Sequence, residues 1–168
     1  GTINVDYGYV SQVEKFEILP GAVEGLKKMK AMNYLLLIIS NQSGIGRGYY
    51  SITDYEKVME TMHHQLKGHG IQIDDCFYCP HSPESNCSCR KPGTKMIEEA
   101  VRKWNVNVKE SFFIGDKDTD IKAGKKSGLK TILISDKEKQ FGQNFRVANL
   151  VEAAMIIENH NNDSSDGQ

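Results

Sequence analysis

Residues 79–93 read CPHSPESNCSCRKPG and hold three of the chain's four cysteines and one of its five histidines. The spacing is Cys79-x-His81, five residues, then Cys87-x-Cys89. Thiolate and imidazole are the ligand types Zn²⁺ prefers, and four of them close a tetrahedral site. Two short hooks joined by a small polar loop can wrap one ion with no help from the rest of the chain. Pro80, Ser82, Pro83, Ser85 and Asn86 make the segment a loop rather than a helix or strand. Such a loop buries little apolar area, so a metal would supply its order. Cys76 adds a Cys76-x-x-Cys79 spacing, which leaves a second set open: Cys76, Cys79, Cys87 and Cys89. Disulfides are disfavoured, because the cysteines cluster tightly and the first residues, GTINVDYGYV, lack a secretory pattern.

Further groups could handle an anion. Arg90 and Lys91 follow the metal loop directly and form either an anion site or a solvated basic pair. Asp116 and Asp120 sit just after an apolar run, where a carboxylate can hold Mg²⁺, a hard cation that seeks oxygen. Ser40, leading the polar run Asn41-Gln42-Ser43, can offer a hydroxyl and backbone amides to a phosphate oxygen. Taken singly, the aspartates read as helix caps in a solvated turn. Together these clusters match the needs of phosphoryl transfer: positioning, a metal, and cationic or N–H donors around the phosphoryl oxygens.

The elements that must position these groups alternate along the chain. Helices are expected over 21–32, 53–67, 95–104, 121–126 and 150–158, and strands over 35–39, 76–78, 111–114 and 130–135. Thr53 and Glu56 have the capping-box spacing for the second helix. Leu35 to Ile39 is apolar without alternation, which suits a strand covered on both faces. The pattern is that of an α/β fold with a three-layer, Rossmann-like parallel sheet. Ligands of such sheets bind beyond the carboxyl ends of the strands, where Ser40, Lys91 and Asp116 all fall.

Bulk composition narrows the setting. A chain of 168 residues is expected to form one domain, here 1–158, followed by a polar, disordered tail over 159–168. A net charge of −1 gives no general attraction to nucleic acid or membrane. The longest apolar run, 34–39, is far too short to span a bilayer. A cytoplasmic monomer acting on a small phosphorylated substrate fits these features.

In GTINVDYGYV, SNQSGIGRG at 40–48, CPHSPESNCSCRKP at 79–92 and FIGDKDTDI at 113–121, the chain resembles the haloacid dehalogenase superfamily. The likeness is to its zinc-containing group, which includes heptose bisphosphate and histidinol-phosphate phosphatases. The first two segments look more like the heptose enzymes, and the short gap between His81 and Cys87 more like the histidinol ones. The resemblance implies the zinc set Cys79, His81, Cys87 and Cys89, leaving Cys76 as a buried strand residue. It implies Ser40 and Lys91 as groups that stabilise the phosphoryl, Asp116 as the Mg²⁺ ligand, and Asp120 in support. Substrate contacts then fall on Asp6, Tyr7, Gly8, Tyr9, Asn41, Gln42, Ser43, Arg90 and Lys117. The implied activity is Mg²⁺-dependent removal of the 7-phosphate of D-glycero-D-manno-heptose 1,7-bisphosphate through an aspartyl-phosphate. The alternatives are histidinol-phosphate hydrolysis and a non-catalytic zinc knuckle that binds a partner.

One departure stands out. The family's first motif is Asp-x-Asp-Gly-Thr, and the sequence begins with its last two residues, Gly1-Thr2. The nucleophilic and acid aspartates, and the strand that bears them, are therefore expected upstream of Gly1. Without that strand the sheet should show unpaired edges, and this stretch alone is expected to fold poorly and to be inactive.

Overall fold

A computed structural model describes residues 1–165. Its elements run α1 (Ala22–Ala31), β1 (Leu37–Asn41), α2 (Ser43–Gly46), α3 (Ile52–Gly68), β2 (Asp75–Cys79) and α4 (Lys95–Trp104). They continue with β3 (Phe112–Gly115), α5 (Asp118–Lys126), β4 (Lys130–Ile134), β5 (Phe145–Val147) and α6 (Leu150–Ser165). Every strand pairing is parallel, as the apolar runs of β1 and β4 imply. The strands fall into two sheets, β1-β2 and β3-β4-β5. Leu37 lies opposite Asp75 in the first, and Phe112 opposite Lys130 in the second.

The expected single sheet is thus divided, and the division has a cause. The inner edges of β1 and β3 both border a cleft of about 1190 Å³ lined by residues 36–39 and 112–114. No described strand pairs with either edge there, so backbone groups that a neighbour would satisfy face the gap. Lys91 takes one of them, donating from Nζ to the Ile39 carbonyl at 2.7 Å.

Helices cover both faces. The larger core joins Leu26 and Met29 of α1, Met62 and Leu66 of α3, Ile132 of β4, and Ala153 and Ile157 of α6. A smaller one joins Ile97 of α4, Phe113 of β3, Ala123 of α5 and Leu129. These are the outer layers of a three-layer α/β fold.

Several local expectations shift. The capping box of α3 is Ser51 with Asp54, not Thr53 with Glu56. Ser51 Oγ accepts from the Asp54 amide at 3.1 Å, and Asp54 Oδ2 accepts from the Ser51 amide at 2.9 Å. The helix therefore starts at Ile52, and Thr53 lies within its first turn. The last helix passes Glu158 and runs to Ser165, so the expected disorder from 159 is corrected over its described part. The polar turns dock by specific contacts: the Tyr34 hydroxyl donates to Asn161 Oδ1 at 2.9 Å, and His160 lies edge-on to Phe112. Residues 166–168 of that stretch lie outside the described residues.

Candidate active site and metal centre

The candidate metal centre lies where β2 ends. Cys79 closes the strand, and the loop after it turns back through a short 3-10 turn at Pro83–Ser85. Asn86 takes a left-handed conformation, φ 50°, that brings Cys87 and Cys89 up to Cys79. One ligand atom from each of Cys79, His81, Cys87 and Cys89 lies within 4.8 Å of all the others. Neighbouring atoms stand 3.0 Å (Cys89 to Cys79 Sγ), 3.4 Å (Cys79 to Cys87 Sγ) and 3.2 Å (His81 Nδ1 to Cys89 Sγ) apart. Metal–sulfur bonds of about 2.3 Å in a tetrahedron put its corners roughly 3.5–3.8 Å apart, so the set fits one ion after a slight expansion. Cys76 is not part of it. It sits half-buried in β2 with Sγ 3.7 Å from His63 Nε2, which decides between the two ligand sets left open by spacing.

The thiols carry the charge conflict such a cluster creates. Burial, reinforced by the neighbouring thiols, pushes Cys79 up to about 12. At Cys87 burial opposes ionisation, but the Arg90 amide and the adjacent thiols outweigh it and bring the group to about 6. A divalent cation would remove that conflict by binding all the sulfurs as thiolates.

Arg90 and Lys91 lead from the metal loop straight into the cleft. Lys91 is buried, 9% exposed, yet not idle: Nζ donates to Asp120 Oδ1 at 2.7 Å as well as to the Ile39 carbonyl. Its backbone is clamped from β1, with the Lys91 amide donating to Asn41 Oδ1 at 2.9 Å and Asn41 Nδ2 to the Lys91 carbonyl at 3.1 Å. Asn41, expected at the substrate, thus spends both ends of its amide holding Lys91 in place. Arg90 lines the cleft, and its Nη1 is buried with no hydrogen-bond partner. A buried N–H of a guanidinium with nothing to donate to is costly, and an anion would satisfy it.

At the end of β3, Asp120 reaches back under the loop. Its Oδ2 accepts from the Asp116 and Lys117 amides, both at 3.1 Å, while Oδ1 holds Lys91. Gly115 makes the return possible, since a Cβ there would collide with the Asp120 side chain. Asp120 is therefore a buried support, 6% exposed, that ties the β3 loop to Lys91. The Asp116 carboxylate points elsewhere, into the cleft. Oδ2 meets the Gly1 amino group at 3.0 Å and Oδ1 accepts from Thr2 Oγ1 at 3.4 Å. A carboxylate that lines the cleft and is not tied to its own loop suits Mg²⁺, which takes one or two carboxylates plus phosphate oxygens.

The N-terminal segment lies along the cleft rim, held by pairing of Asn4 with Ile18. Asp6 Oδ2 pairs with Lys117 Nζ at 3.0 Å, and its Oδ1 accepts from the Gly8 amide at 2.9 Å. Burial alone would raise the Asp6 carboxyl, but these contacts outweigh it and hold it below the usual carboxylate range. Gly8 and Tyr9 line the cleft. Tyr7 does not: its hydroxyl donates to Glu17 Oε2 at 2.7 Å, and the ring is exposed. At the end of β1, Ser40, Gln42 and Ser43 line the cleft, with Ser43 buried. Sequence reasoning missed Tyr50, which lines the cleft and donates to Gln42 Oε1 at 2.6 Å. Nothing in an aromatic residue just beyond a glycine-rich turn signals that bond.

Fold and cleft together define an α/β protein in which strand-end donors, a buried lysine and a carboxylate surround one cleft. Residues 88–144 match the HAD-hydrolase-like family model. A D-glycero-beta-D-manno-heptose-1,7-bisphosphate 7-phosphatase of Helicobacter pylori is 44% identical over 135 residues, covering 80% of this chain and 78% of that protein. A D-glycero-alpha-D-manno-heptose-1,7-bisphosphate 7-phosphatase of Photorhabdus laumondii is 40% identical over 136 residues, covering 77% and 74%. The crystal structure of D,D-heptose 1,7-bisphosphate phosphatase from B. bronchiseptica, complexed with magnesium and phosphate, matches with a TM-score of 0.86. That match covers 95% of this chain and 94% of the other and, at 24% identity, shows a shared fold. The chain belongs to the haloacid dehalogenase-like family of phosphatases, on the branch shared with these heptose bisphosphate enzymes. No helix among the described residues is long and apolar enough to cross a membrane.

Proposed function

We propose that the protein hydrolyses the 7-phosphate of D-glycero-D-manno-heptose 1,7-bisphosphate. One observation carries this reading: Ser40, Lys91 and Asp116, from three separate segments, line a single cleft. The activity named for the relatives supports the substrate. In this reading the phosphoryl group sits between the Ser40 hydroxyl and the Lys91 ammonium, which offsets its charge as the leaving oxygen departs. Asp120 and Asn41 hold Lys91 there, and Arg90 Nη1 donates to a substrate oxygen. Asp116 would hold Mg²⁺, which supplies charge neutralisation at the phosphoryl oxygens. Cys79, His81, Cys87 and Cys89 would hold Zn²⁺, which would fix the loop bearing Arg90 and Lys91 and take no part in the chemistry.

The nucleophile is a carboxylate that attacks phosphorus in line and forms an aspartyl-phosphate, which water then cleaves. None of the four aspartates that line the cleft is free for that task. Asp120 is bound to Lys91, Asp6 to Lys117 and Asp118 to Lys122, and Asp116 is the metal ligand. The gap between β1 and β3 has room for a further strand, whose end would deliver a carboxylate beside Gly1 and Asp116.

The test compares phosphate release from the heptose bisphosphate, as both anomers, with release from histidinol phosphate. The protein is made from its complete reading frame, with and without Mg²⁺. Rapid, Mg²⁺-dependent release from one heptose anomer, with little from histidinol phosphate, is expected. The reverse preference would assign the histidinol reaction. No hydrolysis and no phosphate binding would leave a metal knuckle that binds a partner.

A further inference from the structure

Behind Ser40 lies a short chain of hydrogen bonds that the phosphatase reading does not use. The Tyr50 hydroxyl donates to Gln42 Oε1 at 2.6 Å, and Gln42 Nε2 donates to Ser40 Oγ at 2.6 Å. The chain is seated from behind. The Gln42 amide donates to the Cys79 carbonyl at 2.8 Å. Gly44 lacks the Cβ that would collide with the Tyr50 ring. The ring also meets Tyr9, centroid to centroid, at 6.3 Å.

The polarity of this chain has a consequence at its far end. Burial, then the nearby Tyr9, raises the Tyr50 phenol above its ordinary value, so at neutral pH it always has a proton to give. A side-chain amide has one accepting end and one donating end. With Oε1 committed to Tyr50, Gln42 presents N–H to Ser40, and Ser40 Oγ must accept it. A serine hydroxyl carries a single proton. One that accepts from behind keeps that proton for the cleft side. A freely rotating hydroxyl presents a lone pair as readily as a proton, and a lone pair repels a phosphate oxygen.

We propose that Tyr50 is a positioning residue: acting through Gln42, it fixes Ser40 as a hydrogen-bond donor to an oxygen of the substrate's phosphoryl group. The inference rests on the phosphatase reading of the cleft. It adds a residue that tunes how strongly the site takes an anion, since a donor already aimed needs no reorganisation when charge arrives.

A double-mutant cycle tests it, on the protein made from its complete reading frame. Tyr50→Phe keeps the ring and removes only the hydroxyl; Ser40→Ala removes the end of the chain. The readouts are kcat/KM for the phosphate monoester and inhibition by inorganic phosphate. Tyr50→Phe should lower kcat/KM and weaken inhibition by inorganic phosphate about five- to tenfold, the loss of one hydrogen bond's worth of orientation. In the Ser40→Ala background the same change should cost less than about twofold, because no proton is left to aim. Gln42→Met, which cuts the chain at its middle, should repeat both results. An equal loss in both backgrounds would mean that the hydroxyl only supports the fold, and the proposal falls. It falls too if Tyr50→Phe matches the wild type while Ser40→Ala is impaired. A wild-type protein that neither hydrolyses phosphomonoesters nor binds inorganic phosphate overturns the phosphatase reading, and this inference with it.

Discussion

The metal loop and the cleft beside it follow opposite building plans. In the loop every ligand comes from residues 79–89, so a few neighbouring residues and one ion complete the site. In the cleft Ser40, Lys91 and Asp116 come from distant segments and meet only because parallel strands end on one side of the fold. A local site can be lost without disturbing the sheets. A distributed one depends on all of them, and here it also depends on the loop, since Arg90 and Lys91 follow Cys89 directly.

The largest effect should come where the two regions join. Lys91→Met removes the phosphoryl-facing charge and leaves Asp120 buried and unpaired. Turnover should fall by about 10³-fold, the upper range for loss of a donor that acts on transition-state charge. Stability should fall by about 3–5 kcal/mol, the cost of breaking a buried pair from one side. Steady-state kinetics and urea unfolding measure the two. A stable, active Lys91→Met protein would separate the regions that the structure joins.

Cys87→Ser breaks the loop alone. Bound zinc, read by metal analysis, should be lost, and activity should drop about 10–100-fold as the Arg90-Lys91 segment loses its anchor, a penalty typical of groups that orient a site from behind. Full activity in a zinc-free variant would show that the sheet holds Lys91 unaided.

Asn41→Ala breaks the clamp from the cleft side and leaves the metal loop intact. The loss of both bonds to the Lys91 backbone should cost about 1–3 kcal/mol. Zinc content should not change, so unfolding and metal analysis together distinguish this variant from Cys87→Ser.

The smallest effect belongs to the rim. The Asp6 carboxyl is held below its ordinary value of 3.8, so its pair with Lys117 stabilises the fold above that pH. That contribution is lost as pH falls through the lower folded value. Lys117 is 61% exposed, so screening limits the pair to under about 1 kcal/mol at neutral pH. Asp6→Asn should therefore match the wild type in stability at pH 3 and fall slightly below it at pH 7. A gap that widens toward pH 3 would contradict this sign.

Much of this was readable in the chain itself. The ligating side chains of the metal loop, the strand feeding Ser40 and the acidic turn after β3 are set by short-range spacing and apolar runs, which act within a few residues. Alternating apolar strands and amphipathic helices likewise placed the elements of the parallel fold. Other features needed distance to be closed. Cys76 and His81 are both plausible fourth ligands by type and by closeness to Cys79, and only the path of the loop excludes Cys76. The three-residue strand β5 is too short for any periodicity, and exists because Ile132 offers Phe145 a parallel neighbour. Asn161 and His160 look like tail residues until Tyr34 and Phe112 are brought beside them.

The sequence by itself determined which groups are present at the strand ends and that a Cys/His set can close around one ion. Tertiary structure decided what each group is bound to. Lys91 is a buried cation steadied by Asp120, Asn41 clamps its backbone, and Ser40 has Gln42 and Tyr50 behind it. Asn41 and Lys91 stand 50 positions apart, and Lys91 and Asp120 stand 29 apart. Over such separations no local propensity acts, and strand register and helix packing choose the partner that each buried polar group must have.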